Sequence, residues 1–154
     1  DEVGAEMQRI LAGARPGPLA ATLKDLMRDE NPSVREVAVK LCGLDLPAEV
    51  MEEVLPSVSR LATEDRVRSV QLAALQLLAR KDRARFMGCL ADIFSQAGAG
   101  QQAEVVEAAR ALAEEVLTEA EREAVREEVE ARRQKRDAAL DRFVGTVEWW
   151  RHDM

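Results

Sequence analysis

The sequence of 154 residues has no tyrosine, one histidine, two cysteines and aromatic side chains at only 3% of its positions. A single histidine, His152, excludes a metal site built from several histidines and argues against histidine-based catalysis. Cys42 and Cys89 offer neither a disulfide framework nor zinc-ligand spacing, so we expect buried, reduced thiols. No apolar run approaches the roughly 18 residues that a membrane-spanning helix needs.

Alanine, leucine and valine dominate an apolar share of 47%, and charged residues make up a further 33%. Alanine and leucine favour helices, and small side chains let helices pack closely, so the composition predicts an all-α protein. The formal net charge is −7. Because nucleic-acid binding needs concentrated positive charge, this balance disfavours a nucleic-acid partner. The acidic net charge and the missing membrane span together lead us to expect a cytoplasmic protein.

Motifs that carry catalytic or cofactor chemistry are missing. Gly98-Ala99-Gly100 lacks the preceding strand of a dinucleotide loop and the Lys-Ser/Thr of a P-loop, so it predicts a turn between helices. Adjacent glutamates such as Glu52-Glu53 and Glu127-Glu128 point about 100° apart on a helix and do not converge as a catalytic pair. We therefore predict a chain that is not an enzyme, with no catalytic, cofactor-binding or metal-binding residues.

Apolar residues at helical spacing predict a succession of helices separated by breakers. Asn31 followed by Pro32, or Ser33 followed by Glu36, could each start a helix near residue 32. Pro56 interrupts one stripe and predicts a kink or a break. The apolar stripes run over Val3–Leu11, Leu19–Met27, Val34–Leu41, Val50–Ala62, Val67–Leu78, Phe86–Phe94 and Val105–Val116.

A last helix of about 26 residues, on the order of 39 Å long, is predicted to begin at the capping box of Thr118 and Glu121. Its apolar stripe is present at Val125 and Val129, is missing around Arg132 to Arg136, and returns from Leu140. We therefore expect the two ends of this helix to dock while its middle remains solvated.

The first two pairs of helices repeat each other. Leu19, Leu23 and Leu26 match Val54, Val58 and Leu61 at an offset of 35 residues. The second helices align at an offset of either 33 or 36, and the sequence leaves this register open. A period in the mid-thirties with two helices in each unit is typical of helical solenoids.

The segments PSVREVAVKL and DRVRSVQLAALQLL resemble the second helices of HEAT repeats, in which Val-Arg follows an acidic turn and alanine follows soon after. Pro56 stands where HEAT first helices often carry a kinking proline. The resemblance is good over residues 18–80, poorer over 83–117 and absent from 118 onward, and Gln71 departs from it at the offset of 33. It implies a short right-handed α-α superhelix of HEAT-like hairpins over residues 1–117. The long charged helix over 118–154, which either packs on the solenoid or extends from it, is predicted from its own sequence pattern.

Two features of the last segment are candidate partner-binding residues. One is the basic cluster Arg132, Arg133, Lys135 and Arg136, whose alternative interpretation is a solvated helix face. The other is the pair Trp149 and Trp150, which either anchors a partner or covers the end of the solenoid. Arg35 and Arg68 are expected to be structural, paired with acidic turn residues such as Asp29 or Asp65.

These observations predict a non-catalytic protein-protein interaction or scaffold module without cofactors. We expect it to bind a protein partner through the surface of its successive second helices, and through the C-terminal helix as well. One alternative is a structural segment of a larger solenoid. The other is a HEAT-like enzyme that acts on nucleic acid or a chromophore, which the acidic charge and scarce aromatics argue against.

Overall fold

The computed structural model describes Ala5, residues 15–96 and the backbone of 102–153, with side chains described as far as residue 145. The first stripe (Val3–Leu11) and the Gly98–Gly100 turn lie outside the described residues. Within them the chain forms seven α-helices and no strands, which confirms the all-α prediction. The helices are α1 (Pro16–Leu26), α2 (Pro32–Cys42), α3 (Ala48–Glu64), α4 (Arg68–Lys81), α5 (Arg83–Ser95), α6 (Ala103–Val116) and α7 (Glu119–Asp153).

Side-chain caps fix the starts of three helices. The Asn31 side chain accepts a hydrogen bond of 2.9 Å from the Ser33 amide, with Pro32 in the first helical position, which decides between the two starts left open above. Asp82 caps α5 by accepting from the Arg85 amide. At the start of α7, the Glu121 amide donates to Thr118 Oγ1 (3.2 Å) and the Thr118 amide donates to Glu121 Oε1 (2.9 Å). The predicted capping box is confirmed.

Pro56 does not break the third helix, because α3 runs continuously from Ala48 to Glu64. Of the two outcomes predicted at Pro56, a kink or a break, the break is therefore excluded. Pro56 itself is exposed, whereas Val54, Leu55 and Val58 on either side of it are buried. Burial of apolar residues before and after the proline holds both halves of the helix in place, and this outweighs the lost backbone hydrogen bond.

Helices contact the helices two positions away in the chain as well as their immediate neighbours. One series of contacts joins α1 to α3, α3 to α5 and α5 to α7, and a second joins α2 to α4 and α4 to α6. Contacts within the pairs α1–α2, α3–α4 and α5–α6 link the two series. Buried apolar residues from every helix form one core cluster, which extends from Leu19 to Val129.

The turns before α2 and α4 resolve the register of the repeat. The Asp29 carboxylate accepts from the Asn31 amide, and the Asp65 carboxylate accepts from the Val67 amide, so the same turn recurs 65 − 29 = 36 residues later. The offset of 36 is therefore the structural one for the second helices. In the first helices the buried positions recur at the predicted offset of 35. They are Leu19, Ala20 and Leu23 in α1 with Met27 at its C-cap, and Val54, Leu55, Val58 and Ala62 in α3.

The last helix is longer than predicted, and as far as residue 145 only its first half docks. It has 35 residues and continues through Gly145 to Asp153. Val125 and Val129 are buried against the core, whereas Leu140, Phe143 and Val144 are 57%, 64% and 45% exposed. The expectation that both ends dock is wrong as far as residue 145. Leu140, Phe143 and Val144 are exposed because α5, on which α7 packs, ends at Ser95.

Candidate interaction surfaces

The second helices α2, α4 and α6 together form one face of the molecule, which we call the second-helix face. A groove of about 430 Å³ runs across it. Its walls carry charges of both signs above an apolar floor, and Val37, one turn before the groove in α2, is 54% exposed. The lining residues are Val39, Lys40, Ala73, Gln76, Leu77, Ala79, Arg80, Leu112, Glu115 and Val116.

Gly43 shapes one wall of this groove. A Cβ atom added at Gly43 would stand 3.0 Å from an Arg80 guanidinium nitrogen and 3.1 Å from the Lys40 carbonyl oxygen. Such distances are shorter than ordinary van der Waals contacts, so any larger residue would push the Arg80 side chain away from the end of α2. The missing side chain therefore allows Arg80 of α4 to lie over the last turn of α2.

Arg35 connects the first pair of helices to the second. Its Nε and Nη2 atoms donate to the two Asp65 carboxylate oxygens at 2.8 and 3.2 Å. Its Nη1 atom donates to the Asp29 and Glu30 carbonyl oxygens at 2.7 and 3.1 Å. The predicted pairing of Arg35 with Asp65 is confirmed. Arg68 is paired instead with Glu104 in the first turn of α6.

Gln71 occupies in α4 the position that Arg35 has in α2, since 71 − 35 is 36. It is 3% exposed, and its amide nitrogen donates to the Ala62 carbonyl oxygen at 3.3 Å. Arg35 likewise donates to carbonyl oxygens that follow the preceding helix. Gln71 therefore shares with Arg35 only the bonding to backbone carbonyl oxygens, and the bridge from Arg35 to Asp65 has no counterpart among its hydrogen bonds. Its apparent departure belongs to the offset of 33, which is not the structural register.

The four residues of the basic cluster do not form one continuous basic surface. Arg132 is paired with Asp92 of α5 and donates to Glu128 at 3.0 Å, and these carboxylates raise its pKa. Arg136 donates to the Ser95 carbonyl oxygen at 2.9 Å, where α5 ends. Arg133 and Lys135 are exposed and make no ion pair with any described residue. The middle of α7 is thus partly engaged with α5 rather than solvated as expected.

A second groove, which we call the end groove, lies between α5, α6 and the first half of α7. It encloses about 390 Å³ and has six apolar and six charged lining residues. Four of the charged residues are arginines, on a chain whose net charge is −7. The lining residues are Leu90, Phe94, Arg110, Ala113, Glu114, Leu117, Arg122, Val125, Arg126, Val129, Glu130 and Arg133.

Sequence reasoning missed the end groove, although it contains Arg133 of the basic cluster. The signal that could have found it is the spacing of Arg122, Arg126 and Arg133, which lie beside Val125 and Val129 on one face of a helix. What the sequence does not reveal is that α6 stands opposite that face. Trp149 and Trp150 lie in the α7 backbone, but their side chains are outside the described part.

Both cysteines are free and buried, as predicted. Burial raises the pKa of the Cys42 thiol to about 12 and, as the largest of several causes, that of the Cys89 thiol to about 11. Both side chains therefore remain protonated at neutral pH, and neither is an activated nucleophile. Over the described residues, no group of acidic, histidine and cysteine side chains could hold a metal ion, and no helix is long and apolar enough to cross a membrane.

Comparisons with known proteins add no family assignment. No protein-family model matches the chain, and no similar curated protein or solved structure was found.

Proposed function

We propose that this chain is a HEAT-like right-handed helical solenoid that acts as a non-catalytic protein-binding module. The contacts between helices two positions apart support the solenoid arrangement, because a solenoid stacks each hairpin on the previous one. Further support comes from Arg35 and Arg68, which each link one pair of helices to the next. The partner would be a protein, bound through the second-helix face and also through α7.

The observation that carries this proposal is the combination of Val37 with the groove of the second-helix face. Val37 is a large apolar side chain that remains 54% exposed, one turn before the groove. An apolar floor with mixed charges at its walls is the composition of many protein-binding surfaces. An exposed apolar side chain near such a groove is available to an apolar contact on a partner.

A capture experiment with matched variants tests the proposal. The chain is immobilised and incubated with extract of its native host as wild type, Val37→Glu, Ala21→Glu and the Trp149→Ala/Trp150→Ala double variant. Ala21 is an exposed alanine of α1, outside the second-helix face, so Ala21→Glu controls for the added charge. We expect a protein that binds the wild type and Ala21→Glu, with affinity for Val37→Glu reduced by at least about tenfold.

The dissociation constants of the captured protein decide the outcome. Equal binding by Val37→Glu and Ala21→Glu would contradict the second-helix face as the binding surface. Salt-independent capture that is lost in the tryptophan double variant would assign the contact to the apolar end of α7. Capture of no protein by the wild type would contradict the proposed function.

A further inference from the structure

The end groove lies where the next helix of the α2, α4 and α6 series would stand. Helix α7 contacts α5 as α5 contacts α3, so α7 extends the series of first helices. A helix beside α6 and α7 would extend the series of second helices, and the end groove lines that position. Val125 and Val129 lie at its base and are themselves buried.

An apolar stripe of α7 is exposed beyond the groove. Leu140, Phe143 and Val144 are all at least 45% exposed. At about 100° per residue, Leu140 and Phe143 lie within about 40° of Val129 around the helix axis. The stripe therefore continues the α7 face that lines the end groove. One helix thus carries an apolar groove at its first half and an uncovered apolar stripe on the same face at its second half.

We propose that a second copy of this chain fills the end groove. Two α7 helices pair antiparallel about a two-fold axis near Arg136, and residues 137–153 of each copy, which we call the tail, lie along the end groove of the other. Residue 136 is midway between Val129 and Phe143, so this pairing places Phe143 of one copy opposite Val129 of the other. The paired region would extend over about 35 residues, on the order of 52 Å.

Charge complementarity favours a second copy over an unrelated helix. The end groove is lined by four arginines and two glutamates. The tail has the opposite balance, with four acidic residues (Asp137, Asp141, Glu148 and Asp153) and two arginines (Arg142 and Arg151). Three of the four groove arginines are already paired with glutamates on their own helices, so only Arg133 has no ion pair among the described residues. The acidic tail of a second copy supplies negative charge beside Arg133 when two copies exchange tails about a two-fold axis.

Arg133 and Asp137 determine the direction of pairing. Both are exposed, and neither makes an ion pair with a described residue. An antiparallel pair centred near Arg136 places Arg133 of one copy opposite residue 139 of the other. Asp137 then lies two residues, or about 3 Å, away along the helix axis, within reach of the arginine side chain, twice by symmetry. A parallel pair would place each of these residues next to its own copy, where like charges repel.

The test measures the mass of the full chain by sedimentation equilibrium over a range of concentrations. We expect a wild-type dimer, and a dissociation constant raised by about 30-fold or more in Phe143→Glu, because a central apolar anchor is replaced by a charge. Ala138→Glu is the matched control, since Ala138 is exposed and lies on the opposite side of α7. Circular dichroism of each variant checks that the helices are retained.

Charge reversal tests the antiparallel register. Arg133→Asp and Asp137→Arg should each weaken the dimer about tenfold, and the double variant should restore it. A wild-type monomer at about 100 μM would overturn the proposal, as would a dimer unaffected by Phe143→Glu or a double variant that fails to restore pairing. Val37→Glu should dimerise normally, so this proposal and the proposed function can fail separately.

Discussion

Arg35 is the side chain that most directly couples one pair of helices to the next. Its four hydrogen bonds reach the Asp65 carboxylate and two carbonyl oxygens, and the two charged side chains are only 15% and 4% exposed. A planar guanidinium can satisfy these acceptors together, which a lysine ammonium cannot do in the same geometry. Removing Arg35 would leave the Asp65 carboxylate buried without its counter-charge.

We therefore expect Arg35→Ala to lower the free energy of unfolding by about 3 kcal/mol, measured by urea denaturation at pH 7. Arg35→Lys should recover only part of this loss. Arg110→Ala is the matched control, because the Arg110 pair with Glu107 is exposed and should contribute less than about 1 kcal/mol. Equal losses for Arg35→Ala and Arg110→Ala would contradict a structural role for the Arg35 bridge.

Ser59 offers a residue-scale prediction of the opposite sign. Its hydroxyl oxygen is buried and has no hydrogen-bond partner among the described residues. A buried polar group without a partner destabilises the folded state, and alanine also has the higher helix propensity. We expect Ser59→Ala to raise the free energy of unfolding by about 1 kcal/mol. Ser57→Ala should gain stability only from the higher helix propensity of alanine. An equal gain in the free energy of unfolding from both variants would exclude a penalty from the buried hydroxyl.

Helix starts are the elements that the sequence predicts best, because their signals are local. The Thr118–Glu121 capping box and the Asn31 cap depend on residues within three positions of each other. The exposure of α7 between Leu140 and Gly145 depends instead on where α5 ends, and no pattern within α7 contains that information. The continuity of α3 through Pro56 also depends on tertiary packing, because burial of the flanking residues opposes the local tendency of proline to break a helix.

In the candidate site, too, the sequence predicts local features but not those that depend on tertiary packing. The sequence locates Arg132, Arg133 and Arg136 but does not show that α5 engages two of them. It contains every residue of the end groove, yet Arg110 and Val129 come together only through the packing of α6 beside α7. The sequence therefore shows which residue types are present, but only the tertiary structure shows which charged residues share one surface.

The capping box makes the stability of α7 depend on pH. The Thr118 amide donates to the Glu121 carboxylate, and this hydrogen bond, as the largest cause, lowers the pKa of Glu121 from its ordinary value of 4.5. A carboxylate with a lowered folded-state pKa stabilises the fold above about pH 4.5, and this contribution is lost as the pH falls through the lowered value. Glu121→Gln should therefore destabilise the protein at pH 7 and have a smaller effect at pH 3.

Urea denaturation at pH 7, 4.5 and 3 measures this difference. Glu127→Gln is the matched control, because Glu127 is exposed on the same helix and has no ion-pair partner among the described residues. Its effect should be small at every pH. A Glu121→Gln effect that stays constant or grows as the pH falls would contradict the role of the ionised carboxylate.

At the scale of the whole molecule, the core has no internal boundary. Buried apolar residues form one cluster from Leu19 in α1 to Val129 in α7. No pair of helices has a core of its own, because the buried residues of each also pack against the neighbouring pairs. We infer that residues 16–129 unfold as one cooperative unit rather than hairpin by hairpin.

Leu77 tests this cooperativity because it lies near the middle of the chain and is 2% exposed. Leu77→Asp should abolish the fold, since an unpaired buried carboxylate costs several kcal/mol, comparable with the roughly 5–15 kcal/mol by which such domains are typically stable. Far-ultraviolet circular dichroism should show loss of helix throughout the chain rather than in one pair alone. Gln76→Asp, at an exposed neighbouring position, controls for the added charge and should remain folded. A Leu77→Asp variant that keeps most of its helix would show instead that the flanking pairs are stable without α4.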